Sequence, residues 1–292
     1  MKIKNLVMIL TLSAATISCA DKQESKTNYA DLTKQYAKVQ LTSDISHLSD
    51  NEKQMLNYLY EVGNIMDDIF WTQQFGGDKE TFLNSIKDKD ARLFAEINYG
   101  PWNHFDGLAS FLPEYGEMPQ GAGFYPADMT KEEFEAWDDP DKTSLYTLIK
   151  RDENGKLQSV WYHEAYAEQI QKAADLLLKA ADLAGDKEFA DYLRLRSKAL
   201  LTDEYFESDM AWMDVRNNNV DFVVGPIENY VDALYGYKAA HEAFILIKDH
   251  AWSKQLAHYA ELLPELQTQL PVAPEYKAEK PGADADLAVY DA

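Results

Sequence analysis

The sequence predicts an α+β protein, predominantly α-helical with a small sheet. Three observations carry this. Apolar residues recur at three- and four-residue steps over several long stretches, the β-branched run best suited to a strand is short (Val220, Phe222, Val223, Val224), and no solenoid period repeats along the chain. With 292 residues there is room for one large domain or two modest ones.

Residues 1–18 read as an export signal. Lys2 and Lys4 precede the apolar run from Leu6 to Leu12, which is well short of the ~20 residues that span a bilayer. Cys19, the single cysteine, sits where a bacterial lipoprotein is cleaved and lipidated, with Thr16 in place of the usual Leu three positions earlier. The expectation is an exported bacterial lipoprotein, periplasmic or outer-membrane associated, that meets the membrane through a lipid anchor only. A plain secretory signal with an incidental cysteine is the alternative. Residues 19–38 are polar and suit a tether, residues 39–270 form the folded body, and residues 271–292, with Pro274 and Pro281, read as linker or as the start of a further part of a longer protein.

Within the body, Ser49-Asp50-Asn51-Glu52 is a capping box. Met55, Leu59, Val62, Met66 and Ile69 then mark a long amphipathic helix that ends near Gly76-Gly77. A second helix is expected over 79–97. Residues 98–126 hold four prolines and many glycines among Trp, Phe and Tyr, so they form an ordered loop that lines a cleft or clamps two layers. Thr130-Lys131-Glu132-Glu133 is a further capping box before a short helix through Trp137. Asn154-Gly155 joins two strands, 144–151 and 157–162, in a hairpin. Helices are expected over 164–183, 189–201 and 203–212, a strand over 220–224, and helices again over 237–247 and 252–270.

An excess of 50 acidic over 28 basic residues gives a net charge of −22, which disfavours phosphate-backbone partners, so no nucleic acid is expected. One cysteine excludes a disulfide framework and every multi-cysteine metal site. His241-Glu242 begins a zincin pattern, but Ile245 stands where the second histidine belongs, so it is half a site. There is no nucleophile elbow, phosphate-cradling loop or dinucleotide fingerprint. No metal ligand set is assigned to this chain.

The segment 220–247 is the informative one. A buried strand runs into Gly225-Pro226 and presents Glu228, Tyr230 and Asp232 beyond it. Polar side chains at a strand terminus are placed to face a cleft, or else to hydrogen-bond the loop and cap the next helix; on physical grounds both readings stay open.

Gly225, Glu228, Tyr230, Asp232, Gly236, Lys238, Ala239 and Glu242 together resemble the Gly-x-x-Glu-x-Tyr-x-Asp and Gly-x-(Lys/Arg)-Ala-x-x-Glu segments of the dipeptidyl peptidase III family of zinc metallopeptidases. Asn98-Tyr99-Gly100-Pro101-Trp102 and the stretch from Gly123 to Met129 resemble its bacterial branch. The resemblance runs from about Ser49 to the last residue and implies the amino-terminal region of that fold. It implies a peptide substrate, with Glu228 binding the free amino terminus and Tyr230 donating its hydroxyl to the scissile carbonyl as the catalytic residue. Asp232, on the substrate-binding segment, would orient the loop. Val231-Asp232-Ala233 departs from the Arg-Asp-Pro or Gly-Asp-Pro of peptidases of known type. The zinc helix and the later glutamate of the family fall beyond this chain. The expectation is therefore a substrate-cleft-contributing part of a longer zinc exopeptidase, binding no zinc itself, inactive alone, and partnered by a carboxy-terminal zinc-bearing part. The competing expectation is a cell-surface lipoprotein that binds peptide or carbohydrate without catalysis, using the aromatic loop 98–126 as a platform; a helical glycosidase-like lipoprotein is a third.

Overall fold

The computed structural model describes residues 27–277 and 288–292. Residues 1–18 and Cys19 lie outside the described residues. The helices are α1 (Tyr29–Thr33), α2 (Asp50–Phe75), α3 (Lys79–Ser85), α4 (Lys89–Ile97), α5 (Lys131–Ala136), α6 (Tyr162–Ala165), α7 (Ala167–Leu183), α8 (Lys187–Thr202), α9 (Phe206–Met213), α10 (His250–Ala260) and α11 (Leu263–Gln269). Three small antiparallel sheets accompany them: β1 (Trp102–Asn103) with β2 (Ala109–Ser110), β3 (Thr147–Arg151) with β4 (Leu157–Trp161), and β5 (Val220–Glu228), β6 (Ala240–Lys248) and β7 (Tyr290–Asp291) in that order. The α+β class with a small sheet is as the sequence predicts.

The long helix α2 organises the body. Ser49 accepts the Glu52 amide while the Glu52 carboxylate receives the Ser49 amide, the reciprocal pair that the capping box requires. Gly76, at φ +79°, ends the helix in the left-handed conformation that glycine adopts without strain. Met55, Leu59, Val62, Met66 and Ile69 are fully buried on the face that meets α7 and β6. α7 packs on α8, and α8 on α9. A smaller cluster of Trp71, Phe82, Leu83, Phe94, Phe111 and Leu112 sits at the far end of α2.

The loop 98–126 clamps these layers together. Phe124 and Tyr125 enter the main core, Phe111 and Leu112 are buried at the smaller one, Trp102 is buried with its ring centre 6.1 Å from that of Phe75, and the Gly123 amide donates to Gln73 O at 2.8 Å. A Cβ on Gly123 would lie 2.3 Å from Thr72 O, so the approach to α2 is open only to glycine. The buried rings of the loop therefore serve packing, while Phe105 and Leu108 stay exposed.

Several elements differ from the sequence reading. The helix expected over 79–97 breaks at Asp88, whose carboxylate caps α4 by accepting the Asp90 and Ala91 amides. Thr130 caps α5, but Glu133 turns to Arg151 instead of closing a second box. The segment 237–247, expected as a helix, is the strand β6 from Ala240 onward. Ala-His-Glu-Ala is a helix-prone start, yet Phe244-Ile245-Leu246-Ile247 is a continuous apolar run whose periodicity fits either structure, and pairing with β5 decides it. The stretch 252–270 divides into α10 and α11 at Pro264. Part of the expected tether is packed: Tyr29 meets Phe111, and the Tyr36 hydroxyl donates to Asn98 Oδ1 at 2.9 Å. The expected linker returns as β7, where Tyr290 and Asp291 pair with Lys248 and Ile247.

Candidate functional site

β5 and β6 run antiparallel with a register shift between Pro226 and Glu228, and the loop 229–239 joins them. The chemistry-bearing side chains of the sequence reading lie at this end of the sheet.

Asp232 is buried, with 2% exposure, and its carboxylate is the hub of the loop. Oδ1 accepts the amides of Leu234 and Tyr235, each at 3.1 Å. Oδ2 accepts the amides of Tyr237 (2.9 Å) and Lys238 (3.2 Å) and the Tyr125 hydroxyl (2.7 Å). Burial and the neighbouring Asp232 charge hold the Tyr125 phenol far above its ordinary pKa, so it stays a donor. Lys238 continues the anchoring, since its Nζ donates to Lys142 O, Ser144 O and Thr147 Oγ1. Burial lowers its pKa to about 8. Asp232 is thus enclosed by five protein donors, four of them amides of its own loop.

Glu228 and Tyr230 are exposed, Tyr230 by 68%. The Tyr230 hydroxyl donates to Glu242 Oε1 at 3.4 Å. Burial, then the Glu228 charge, raises the Glu242 pKa. The structure therefore brings Glu228, Tyr230 and Glu242 together and sets Asp232 beneath them.

Glu242 also lines a cleft of about 490 Å³ between α2 and β6, whose other walls include Tyr60, Asp67, Phe70, Tyr99 and Phe244. The Tyr99 hydroxyl donates to Asp67 Oδ1 at 2.6 Å, and Lys79 lies 3.5 Å from Asp67 Oδ2. Two carboxylates, Asp67 and Glu242, thus line a cleft with apolar walls, an arrangement that favours a cation beside an apolar body. Sequence reasoning missed Asp67, and it marked Tyr99 only as part of a loop expected to line a cleft or clamp two layers. Asp67 stands on an amphipathic helix where an acid reads as solvated, and its partner is 32 residues away.

His241 is fully buried, and on a strand its side chain points to the opposite face from that of Glu242. Gln73 grips it twice: Oε1 accepts the His241 amide at 2.8 Å, and Nε2 donates to Nδ1 at 3.0 Å. Nδ1 is therefore the acceptor and the imidazole is neutral, with burial pulling its pKa to about 3. A His-Glu pair split across two strand faces cannot chelate one ion. Among the described residues no group of three His, Cys, Asp or Glu is gathered to hold a metal. The residues present therefore do not fit a zinc centre.

No protein-family model matches the chain. It is similar to the solved structure of DPP III from Caldithrix abyssi, with 35% identity and a TM-score of 0.82, over 89% of this chain and 52% of that one. It is similar also to the dipeptidyl-peptidase III structure from Corallococcus sp. strain EGB, with 31% identity and a TM-score of 0.78, over 90% of this chain and 51% of that one. Among curated proteins, Nudix hydrolase 3 of Arabidopsis thaliana is 30% identical over 304 aligned positions, which cover 83% of this chain and 39% of that protein. That name describes a protein of which this chain matches the smaller part. The chain spans about half the length of the two solved structures, and over nine-tenths of its own length it has the fold of the bacterial dipeptidyl peptidases III.

Proposed function

We propose that this chain is the amino-terminal, substrate-cleft-contributing part of a dipeptidyl peptidase III-like zinc exopeptidase. The observation that carries the reading is the coupling of Glu228, Tyr230 and Glu242 at the β5–β6 end, in a fold shared with peptidases of that type. Glu228, with Glu242 beside it, receives the ammonium of a peptide's first residue through charge-assisted hydrogen bonds. Tyr230, with its hydroxyl exposed and turned toward the same carboxylates, donates to the substrate carbonyl. Asp232 holds the loop that carries Tyr230. Zinc would activate water in the longer family member. This chain's described residues gather no ligand set for it, so the chain alone binds peptide and hydrolyses none.

We propose further that Cys19 carries a lipid and that the protein is an exported lipoprotein, anchored at the periplasmic or outer-membrane face. Among the described residues no helix is long and apolar enough to cross a membrane. Cys19→Ser is expected to move the protein from the membrane to the soluble fraction.

Calorimetric titration with short peptides tests the peptide reading. A free amino terminus is expected to bind at least about tenfold more tightly than its acetylated counterpart, the value of one charge-assisted contact of roughly 1.5 kcal/mol. Equal affinities, or turnover by the isolated chain with one zinc bound, would overturn it.

A further inference from the structure

One edge of β6 is paired along its length and the other is open. The register between β5 and β6 holds from Val220 opposite Ile247 to Pro226 opposite His241. On the β5 side the Lys248 amide donates to Asn219 O at 2.9 Å. Backbone groups in an antiparallel pair alternate between the two edges, so Glu242, Phe244 and Leu246 also bond toward β5. His241, Ala243, Ile245 and Ile247 present their N–H and C=O groups to the outer edge. The His241 amide shows this directly, since it leaves the ladder and donates to Gln73 Oε1 at 2.8 Å.

On the outer edge β7 covers only the end of the strand, with Asp291 opposite Ile247 and Tyr290 opposite Lys248. Among the described residues no strand pairs there with Ala243 or Ile245. Both are half-buried and, together with Ala292, line the cleft of about 490 Å³ between α2 and β6. Apolar rings beside the edge are uncovered as well, Tyr60 by 65% and Phe244 by 46%. An unpaired strand edge next to apolar surface is a template for one more strand.

The direction of that strand follows from the register. β7 runs antiparallel to β6, and its pairing advances toward Ile245 as its own chain advances. A strand in the same register sets alternate residues opposite Ile245 and then Ala243, inside the cleft. It stops there, because Gln73 already holds the His241 amide, and the Glu228–Tyr230 end stays clear. The two solved structures of this fold are about twice as long as the chain, which covers 52% and 51% of them.

We propose that the outer edge of β6 docks a strand of the carboxy-terminal part, antiparallel and in the register that β7 begins, through the backbone of Ala243 and Ile245. This rests on the reading of the chain as the amino-terminal part of a longer protein. A second copy of the chain suits the edge less well, since each copy carries a net charge of −22 and each edge is flanked by Asp67 and Glu242.

The test is amide hydrogen exchange on the full chain, alone and with a short strand added after Ala292. One extension is Val-Thr-Val-Thr-Val. The other, Pro-Thr-Pro-Thr-Val, removes the donors at the positions opposite Ile245 and Ala243. The first is expected to slow exchange of the Ala243 and Ile245 amides at least about tenfold, and to leave those of Phe244 and Leu246, already bonded to β5, little changed. The proline extension leaves all four at the rates of the unextended chain. No slowing, equal slowing by both extensions, or protection in the unextended chain that rises with protein concentration, the mark of a second copy on the edge, would each overturn the proposal. The exchange readout is at β6 and the acetylation readout at Glu228, so either reading can fail without the other.

Discussion

The Tyr125 hydroxyl donates to the Asp232 carboxylate at 2.7 Å, across 107 residues of chain, inside the core. It ties the aromatic loop that clamps α2 to the loop that presents Tyr230. Removing only that donor tests the link. Tyr125→Phe is expected to cost about 1.5–3 kcal/mol by urea denaturation, because the buried carboxylate loses a charge-assisted partner but keeps four amides. Asp232→Ala, which orphans all five donors, is expected to cost about 3–5 kcal/mol and to speed amide exchange at Leu234, Tyr235, Tyr237 and Lys238. Unchanged exchange at those amides would mean that Asp232 does not organise the loop.

The Gly123 approach to α2 has no slack. A methyl group there meets Thr72 O at 2.3 Å and Gly76 Cα at 2.7 Å, both backbone atoms that cannot rotate away. Gly123→Ala is expected to destabilise the chain by about 1–3 kcal/mol. A neutral substitution in chemical denaturation would contradict the packing described.

His241 gives the fold a pH dependence whose sign follows from its burial. Its folded pKa, about 3, lies below the ordinary imidazole value near 6.5. The unfolded chain takes up a proton as pH falls through 6.5, while the folded chain does not until about 3. The stability difference is therefore complete above pH 6.5 and is lost on acidification by up to roughly 1.4 kcal/mol per pH unit. His241→Asn should flatten the slope of unfolding free energy against pH between about 6.5 and 5, above the range where most carboxylates titrate. Parallel slopes for the two proteins would sink this assignment.

Glu242 sets a second pH dependence, on binding. Burial and the Glu228 charge raise its pKa above the ordinary carboxylate value, so it takes up a proton as pH falls through that raised value and the site loses negative charge. Affinity for a free-amine peptide is expected to fall on acidification from above the normal carboxylate range, and Glu242→Gln to weaken binding and remove most of that dependence. Calorimetry from about pH 7.5 to 5 measures both. The same pH dependence of affinity in the wild type and in Glu242→Gln would contradict the role of Glu242.

Much of this was legible in the sequence where the signal is local. The capping box at Ser49 and the apolar stripe from Met55 to Ile69 lie within one helix, so spacing alone reveals α2 and the face it buries. Glu228, Tyr230 and Asp232 stand together in five residues, and a family resemblance marks them. What escaped is what the fold brings together from afar. Gln73 reads as one polar residue on an amphipathic helix, and only the structure sets it against His241, 168 positions away. Asp67 and Tyr99 join the cleft by the same long-range route. β6 was misread because its alanines favour a helix and its apolar run fits either period; partnership with β5 is a tertiary fact that no local pattern carries.

The central claim is that Glu228 receives the amino terminus of a peptide, and a thermodynamic cycle tests it most directly. The affinities of a free-amine peptide and of its acetylated form are measured calorimetrically for the wild-type chain and for Glu228→Gln. The account predicts that acetylation costs the wild type at least about tenfold in affinity and costs the variant little or nothing, because the contact is already gone. The same acetylation penalty in both proteins would show that the ammonium is held elsewhere, and the assignment would fail.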